Sequence, residues 1–143
     1  MDALTFLKER VTLFAGVTDE NLSVLVEAAV LSSYGSGQTI LFKGATVDGL
    51  HVVATGRVSV HAKLSGKGLS QVAELGAGSV FGETSIVEMG TAGAAVKACE
   101  DNTLILMIPQ DAFRHVLQQD EAFAVRVNIL INARKAAPAP VAA

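Results

Sequence analysis

Gly76-Ala77-Gly78-Ser79-Val80-Phe81-Gly82-Glu83, continuing through Thr84-Ser85-Ile86-Val87 to Thr91-Ala92-Gly93-Ala94 and Ala95-Val96-Lys97-Ala98, is the stretch on which the reading turns. Two apolar residues lie between glycine turns, residues able to form a short helix at about 84 to 88 come next, and an apolar run follows. Gly82 gives the backbone conformations closed to residues with side chains and lets it approach a ligand closely. A helix starting there presents unpaired N–H groups and the positive end of its dipole to an anion, and a phosphate fits such a place. Glu83 beside that anion would repel it, so its carboxylate is better used accepting a hydrogen bond from a sugar hydroxyl. The alternative is an ordinary turn followed by an ordinary helix-start carboxylate.

Outward from this stretch, 12 of the 13 glycines fall between Tyr34 and Ile108, separating short runs rich in Val, Ile, Leu and Thr. Short strands joined by tight turns predict a sandwich or barrel. Residues 57 to 64 alternate Val58, Val60, Ala62 and Leu64 with Arg57, Ser59, His61 and Lys63, as a half-buried strand does. Residues 103 to 108 are continuously apolar up to Pro109, as a strand buried on both faces would be. Helices are expected on either side. Residues 3 to 13 and 19 to 30 flank a loop around Phe14-Ala15-Gly16, with Thr18 as the start signal of the second helix. Residues 110 to 118 and 121 to 134 follow the strands, divided by Asp120 as a cap. The domain is therefore expected over 1 to 135, with 136 to 143 an Ala/Pro-rich tail or a linker of the kind that joins an effector domain.

A chain of 143 residues fits one domain with one core. Half of it is hydrophobic and the mean hydropathy is +0.44, yet charges or glycines interrupt every apolar run short of the ~20 residues a membrane helix needs. No membrane association is expected, and an N-terminus without secretion features points to the cytoplasm. A net charge of −3 offers no footprint for nucleic acid. Cys99, the single cysteine, excludes an internal disulfide and a multi-cysteine zinc site. His51, His61 and His115 share neither a close spacing nor a common element, and no Gly-x-Ser-x-Gly elbow occurs. Neither an enzyme nor a resident metal or cofactor is expected.

Three segments in order resemble the cyclic-nucleotide-binding domain family of catabolite-activator-type regulators, kinase regulatory subunits and gated channels. They are Leu13 to Glu20; Ile40 to Gly44 with Asp48 to Val60; and Gly76 to Ala98. The resemblance implies a mainly β fold with flanking helices, a double-stranded β-helix or cupin-like jelly roll with N-terminal helices and C-terminal lid helices. It makes Phe81, Gly82, Glu83, Thr84, Ser85, Thr91, Ala92, Gly93 and Ala94 the ligand-binding cassette, with Glu83 on the ribose 2′-hydroxyl. A cyclic nucleotide is the implied ligand, and residues 110 to 134 the moving lid.

One departure matters: the family's cassette ends in Pro-Arg and a small residue, where this chain has Thr91, Ala92 and Gly93. Losing a charge-assisted contact of about 1.5–3 kcal/mol weakens phosphate binding roughly ten- to a hundred-fold or more, unless Lys97 or Arg57 faces the pocket instead. Gly93 offers no side chain to a guanine, which leans to cAMP over cGMP. Other readings stay open: a degenerate cassette that binds another ligand or serves as a protein-interaction or oligomerisation domain, a homodimer among the options, with helical faces around Leu117, Val127 and Leu130, or a metal-dependent cupin enzyme on the same roll.

Overall fold

The alternation in 57 to 63 and the unbroken apolar run after Asn102 place their strands differently, and this difference organises the molecule. The computed structural model describes residues 2–63, 68–87 and 90–135. In chain order it contains α1 (Ala3–Arg10), a 3-10 turn (Thr12–Phe14), α2 (Asp19–Ala28), β1 (Val30–Tyr34), β2 (Thr39–Leu41), β3 (Gly49–Thr55), β4 (Arg57–Lys63) and β5 (Leu69–Gly76). Then come β6 (Val80–Phe81), α3 (Glu83–Val87), β7 (Ala95–Ala98), β8 (Thr103–Pro109), α4 (Gln110–Gln119) and α5 (Glu121–Lys135). Leu64, Glu88 and the 136 to 143 tail lie outside the described residues.

Two antiparallel four-stranded sheets form the roll, in the orders β1-β8-β3-β6 and β2-β7-β4-β5. β8 is an inner strand of the first sheet, and its two faces bury different partners. Ile105 and Met107 share the face that looks toward the second sheet with His51 and Phe81; Leu106 and Ile108 share the opposite face with Leu50 and Val52, against α2 and α4. A strand covered on both sides has no polar alternation to show. In the second sheet Val58, Val60 and Ala62 point inward and are buried, Val58 and Val60 opposite Ala98 and Val96 of β7, while Arg57 and Lys63 are exposed.

The two N-terminal helices are shorter than the periodicity alone suggests. α1 stops at Arg10, where β-branched Val11 leads into the tighter turn that starts at Thr12. α2 stops at Ala28 because Val30 already pairs with Met107 as the first residue of β1, a tertiary contact overriding local helical spacing. Thr18 caps α2, its Oγ1 accepting from Asn21 N at 3.2 Å, and Asp120 caps α5, accepting from Phe123 N at 3.0 Å. α4 and α5 pack inward: Phe113, Val116, Phe123, Val127 and Ile131 are buried, with Leu117 and Leu130 partly so. Phe123 stacks on Phe14 at 5.4 Å and meets Phe113 edge-on at 5.8 Å, so one aromatic cluster joins the N-terminal turn to both closing helices.

Candidate functional site

β6 delivers the chain to Gly82, whose φ of 93° lies in the region that disfavours side chains. A Cβ there would stand 3.1 Å from Val47 Cγ1 and 3.2 Å from the Gly49 carbonyl oxygen, so a side chain would be crowded as well as strained in conformation. The turn drops Glu83 at the start of α3 with no exposed surface at all. Its Oε1 accepts from Arg134 Nη1 at 2.7 Å and, at 3.5 Å, from the Thr84 hydroxyl. Its Oε2 has no partner. Burial pushes the Glu83 carboxyl above the ordinary glutamate range, and the Arg134 guanidinium pulls the other way.

Both C-terminal helices reach α3. Arg134, in the last turn of α5, holds Glu83; Arg114 of α4 donates from Nη2 to the Ile86 carbonyl at 2.7 Å. Arg126, also on α5, donates from Nε to the Leu13 carbonyl at 3.1 Å, and a hollow of ≈ 470 Å³ lies between Arg126, Arg134, the N-terminal turn and Gly78-Ser79-Val80.

The cassette residues are gathered as one unit. Phe81, Gly82, Glu83 and Ser85 are buried and Thr84 half-buried; Ala92 and Ala94 point inward while Thr91 and Gly93 are exposed. The Ser85 hydroxyl donates to the Thr91 carbonyl at 3.1 Å, so it ties the start of the cassette to its end rather than standing free for a ligand. The end is pinned to the segment after β2, with Gly44 N on the Ala92 carbonyl at 2.7 Å and Ala92 N on the Ala45 carbonyl at 2.9 Å. Lys97 and Arg57 do not face this region. Lys97 pairs with Ser59 in register, on the outer face of its sheet, and Arg57 shares that face.

The cation that pairs with Glu83, Arg134, comes from 51 residues away in sequence. Its only sequence signal is a basic residue in a last helical turn, which reads equally well as a complement to the helix dipole. His51 was also illegible. It is buried with its Nδ1 unpartnered, and its ring stacks on Phe81 at 4.8 Å. Desolvation holds its pKa down to about 4, against weaker opposite pulls from the Gly49 carbonyl and Asp48. The folded chain therefore keeps His51 neutral where the unfolded chain, titrating at 6.5, takes up a proton. Its contribution to stability is complete above pH 6.5 and disappears as pH falls to about 4, amounting to about 3 kcal/mol. Denaturant titrations of wild type and His51→Phe across that window should show the variant with the shallower acid loss; parallel curves would mean that His51 titrates alike in the folded and unfolded chain. Among the described residues no three His, Cys, Asp or Glu side chains are grouped to hold a metal.

Together these features define a β-roll that encloses a glycine-turned carboxylate beneath two closing helices. The model of the cyclic nucleotide-binding domain matches residues 31–120. The cyclic AMP receptor protein of Thermus thermophilus is 29% identical over 99 residues, 69% of this chain and 46% of that protein, so the chain spans about half the length of that curated relative. The crystal structure of the Thermus thermophilus catabolite activator protein superposes with a TM-score of 0.72 at 25% identity, covering 85% of this chain and 57% of that one. The regulatory subunit of a cAMP-independent protein kinase A from Trypanosoma brucei gives 0.79 at 18% identity, covering 94% and 46%. The chain belongs to the cyclic nucleotide-binding domain family. Among its described residues no helix is long and apolar enough to cross a membrane.

Proposed function

We propose that the chain is a regulatory module that binds a cyclic nucleotide, with cAMP favoured, and signals through its C-terminal helices. The observation that carries this reading is the unpartnered Oε2 of Glu83, a fully buried acceptor at the turn of the cassette. A buried carboxylate oxygen without a donor costs about 1–3 kcal/mol, and a ribose hydroxyl has the chemistry to supply that donor. The coupling to the lid follows from the same carboxylate. A hydroxyl donated to Oε2 favours the ionised form of Glu83, which strengthens its pair with Arg134 on Oε1 and so holds the end of α5 down. Ligand and lid thus stabilise each other through one side chain, while Arg114 on Ile86 links α4 to the same short helix.

The phosphate end supports a second reading. Ala92 stands where the family carries arginine, which favours a cassette that keeps the fold and has lost the nucleotide, leaving a protein-interaction or dimerisation role. The Trypanosoma brucei subunit named as cAMP-independent shares this fold, and a variant of it with three substitutions, one turning a threonine into arginine, has been solved with cAMP. Calorimetric titration of cAMP and then cGMP into the chain distinguishes the two, with hydrogen exchange of residues 110 to 135 read on the same samples. Saturable cAMP binding, lost in Glu83→Ala and accompanied by slower exchange in α5, is the expected result. No binding at about 1 mM ligand would leave the degenerate cassette as the function. Non-catalytic action and a cytoplasmic location complete this reading, with any effector domain or partner protein receiving the motion of the lid.

A further inference from the structure

Away from Glu83, a second hollow of ≈ 290 Å³ opens between the sheets at the β1 and β2 end of the roll. Ile105 and Met107 of β8 form one wall, Leu41 and Phe42 the other, with His51 buried at the inner side and Asp48 exposed. This is roughly twice the volume of an engineered cavity of about 150 Å³ that admits benzene, so it has room for one ring with a short chain. The residues around it also hold the cassette. His51 stacks on Phe81, and its Nδ1 lies 3.4 Å from where a Cβ on Gly82 would be. Thr46 bridges to Thr91 and the Ala45 carbonyl accepts from Ala92 N, so the far end of the cassette hangs on the same wall. The Asp48 carbonyl accepts from Gln110 N at 2.9 Å, at the root of α4.

The lining states the chemistry of an occupant. Asp48 is the only charged side chain among the lining residues, His51 being neutral by desolvation, and a carboxylate beside apolar walls selects a cation with an apolar body. Phe42, 64% exposed, adds an aromatic face at the rim that both covers such a body and attracts its charge. We propose that this hollow binds a small primary amine bearing one ring, its ammonium on Asp48, and that occupation is transmitted through His51 and Thr46 to the cassette. Neither the site nor its test involves a nucleotide, so the two readings stand or fall separately.

The probe is 2-phenylethylamine, with 2-phenylethanol as its neutral counterpart, titrated into the full nucleotide-free chain and followed by amide NMR. Saturable shifts are expected at lining amides and also at Phe81, Gly82 and Thr91. Affinity should fall about tenfold for the alcohol and for the amine on Asp48→Asn, a variant that keeps the backbone carbonyl on Gln110. Shifts that do not saturate by about 10 mM, or equal affinity for amine and alcohol, would overturn the assignment. Saturation confined to lining amides, with Phe81, Gly82 and Thr91 unmoved, would overturn the transmission to the cassette.

Discussion

Arg134→Ala lowers the stability of the free chain by about 3 kcal/mol at about pH 8, and the deficit closes as the solution is acidified. Glu83 has no exposed side-chain surface and Arg134 only 15%, so the variant leaves a buried carboxylate without its counterion. Breaking such a pair from one side costs about 3–5 kcal/mol; the lower end applies because Arg134 sits one residue from the described end of α5, where water gains entry most easily. The pH dependence has a definite sign. Burial already raises the folded Glu83 pKa above the 4.5 of the free side chain, and removing Arg134 takes away the main opposing pull. Between those two values the folded state binds the extra proton, so stability falls as pH rises through the window and the full deficit appears only above it. Below pH 4.5 both states are protonated and wild type and variant converge. Urea titrations at the two pH values, with Glu83→Gln/Arg134→Ala restoring most of the loss, test this. A loss equal at both pH values would show that Arg134 acts by packing alone.

That pair also marks where the sequence stops being informative. The roll was legible because its signals are local: glycine turns between short apolar runs, period-two burial in Arg57–Lys63, an uninterrupted apolar run in the strand covered on both faces, and side-chain caps at Thr18 and Asp120. Glu83 was legible for the same reason, standing directly after a glycine whose φ of 93° the turn requires. Its partner was not, since the contact between residues 83 and 134 depends on how α5 crosses the roll, which no spacing within either segment specifies. Lys97 illustrates the converse. It lies within the cassette region in sequence and carries the right charge, yet its register opposite Ser59 sends it to the outer face, because a strand's period of two excludes it from the side that Val96 occupies. His51 was hidden differently: a histidine among Leu50, Val52 and Val53 carries no sign that it faces a hollow and touches Phe81.

Ala92→Arg binds cAMP about ten- to a hundred-fold more tightly than the wild-type chain, by calorimetry. Ala92 is 3% exposed, its backbone is fixed on both sides by Gly44 and Ala45, and it follows Thr91, whose carbonyl receives the Ser85 hydroxyl. A guanidinium grown from that position starts inside the cassette rather than on its exposed rim, and its forked donors suit two phosphate oxygens at once. The free variant bears a cost that the complex relieves. An enlarged side chain in a packed site strains the fold by about 1–3 kcal/mol, and its charge lacks an anion until ligand arrives, so the thermal shift on adding cAMP should exceed that of the wild type. Ala92→Met separates size from charge, sharing the strain and gaining no affinity. If Ala92→Arg folds and its affinity for cAMP is unchanged, the phosphate does not sit on residues 91 to 93, and Glu83 would have to be serving a ligand held by the end of α5 instead.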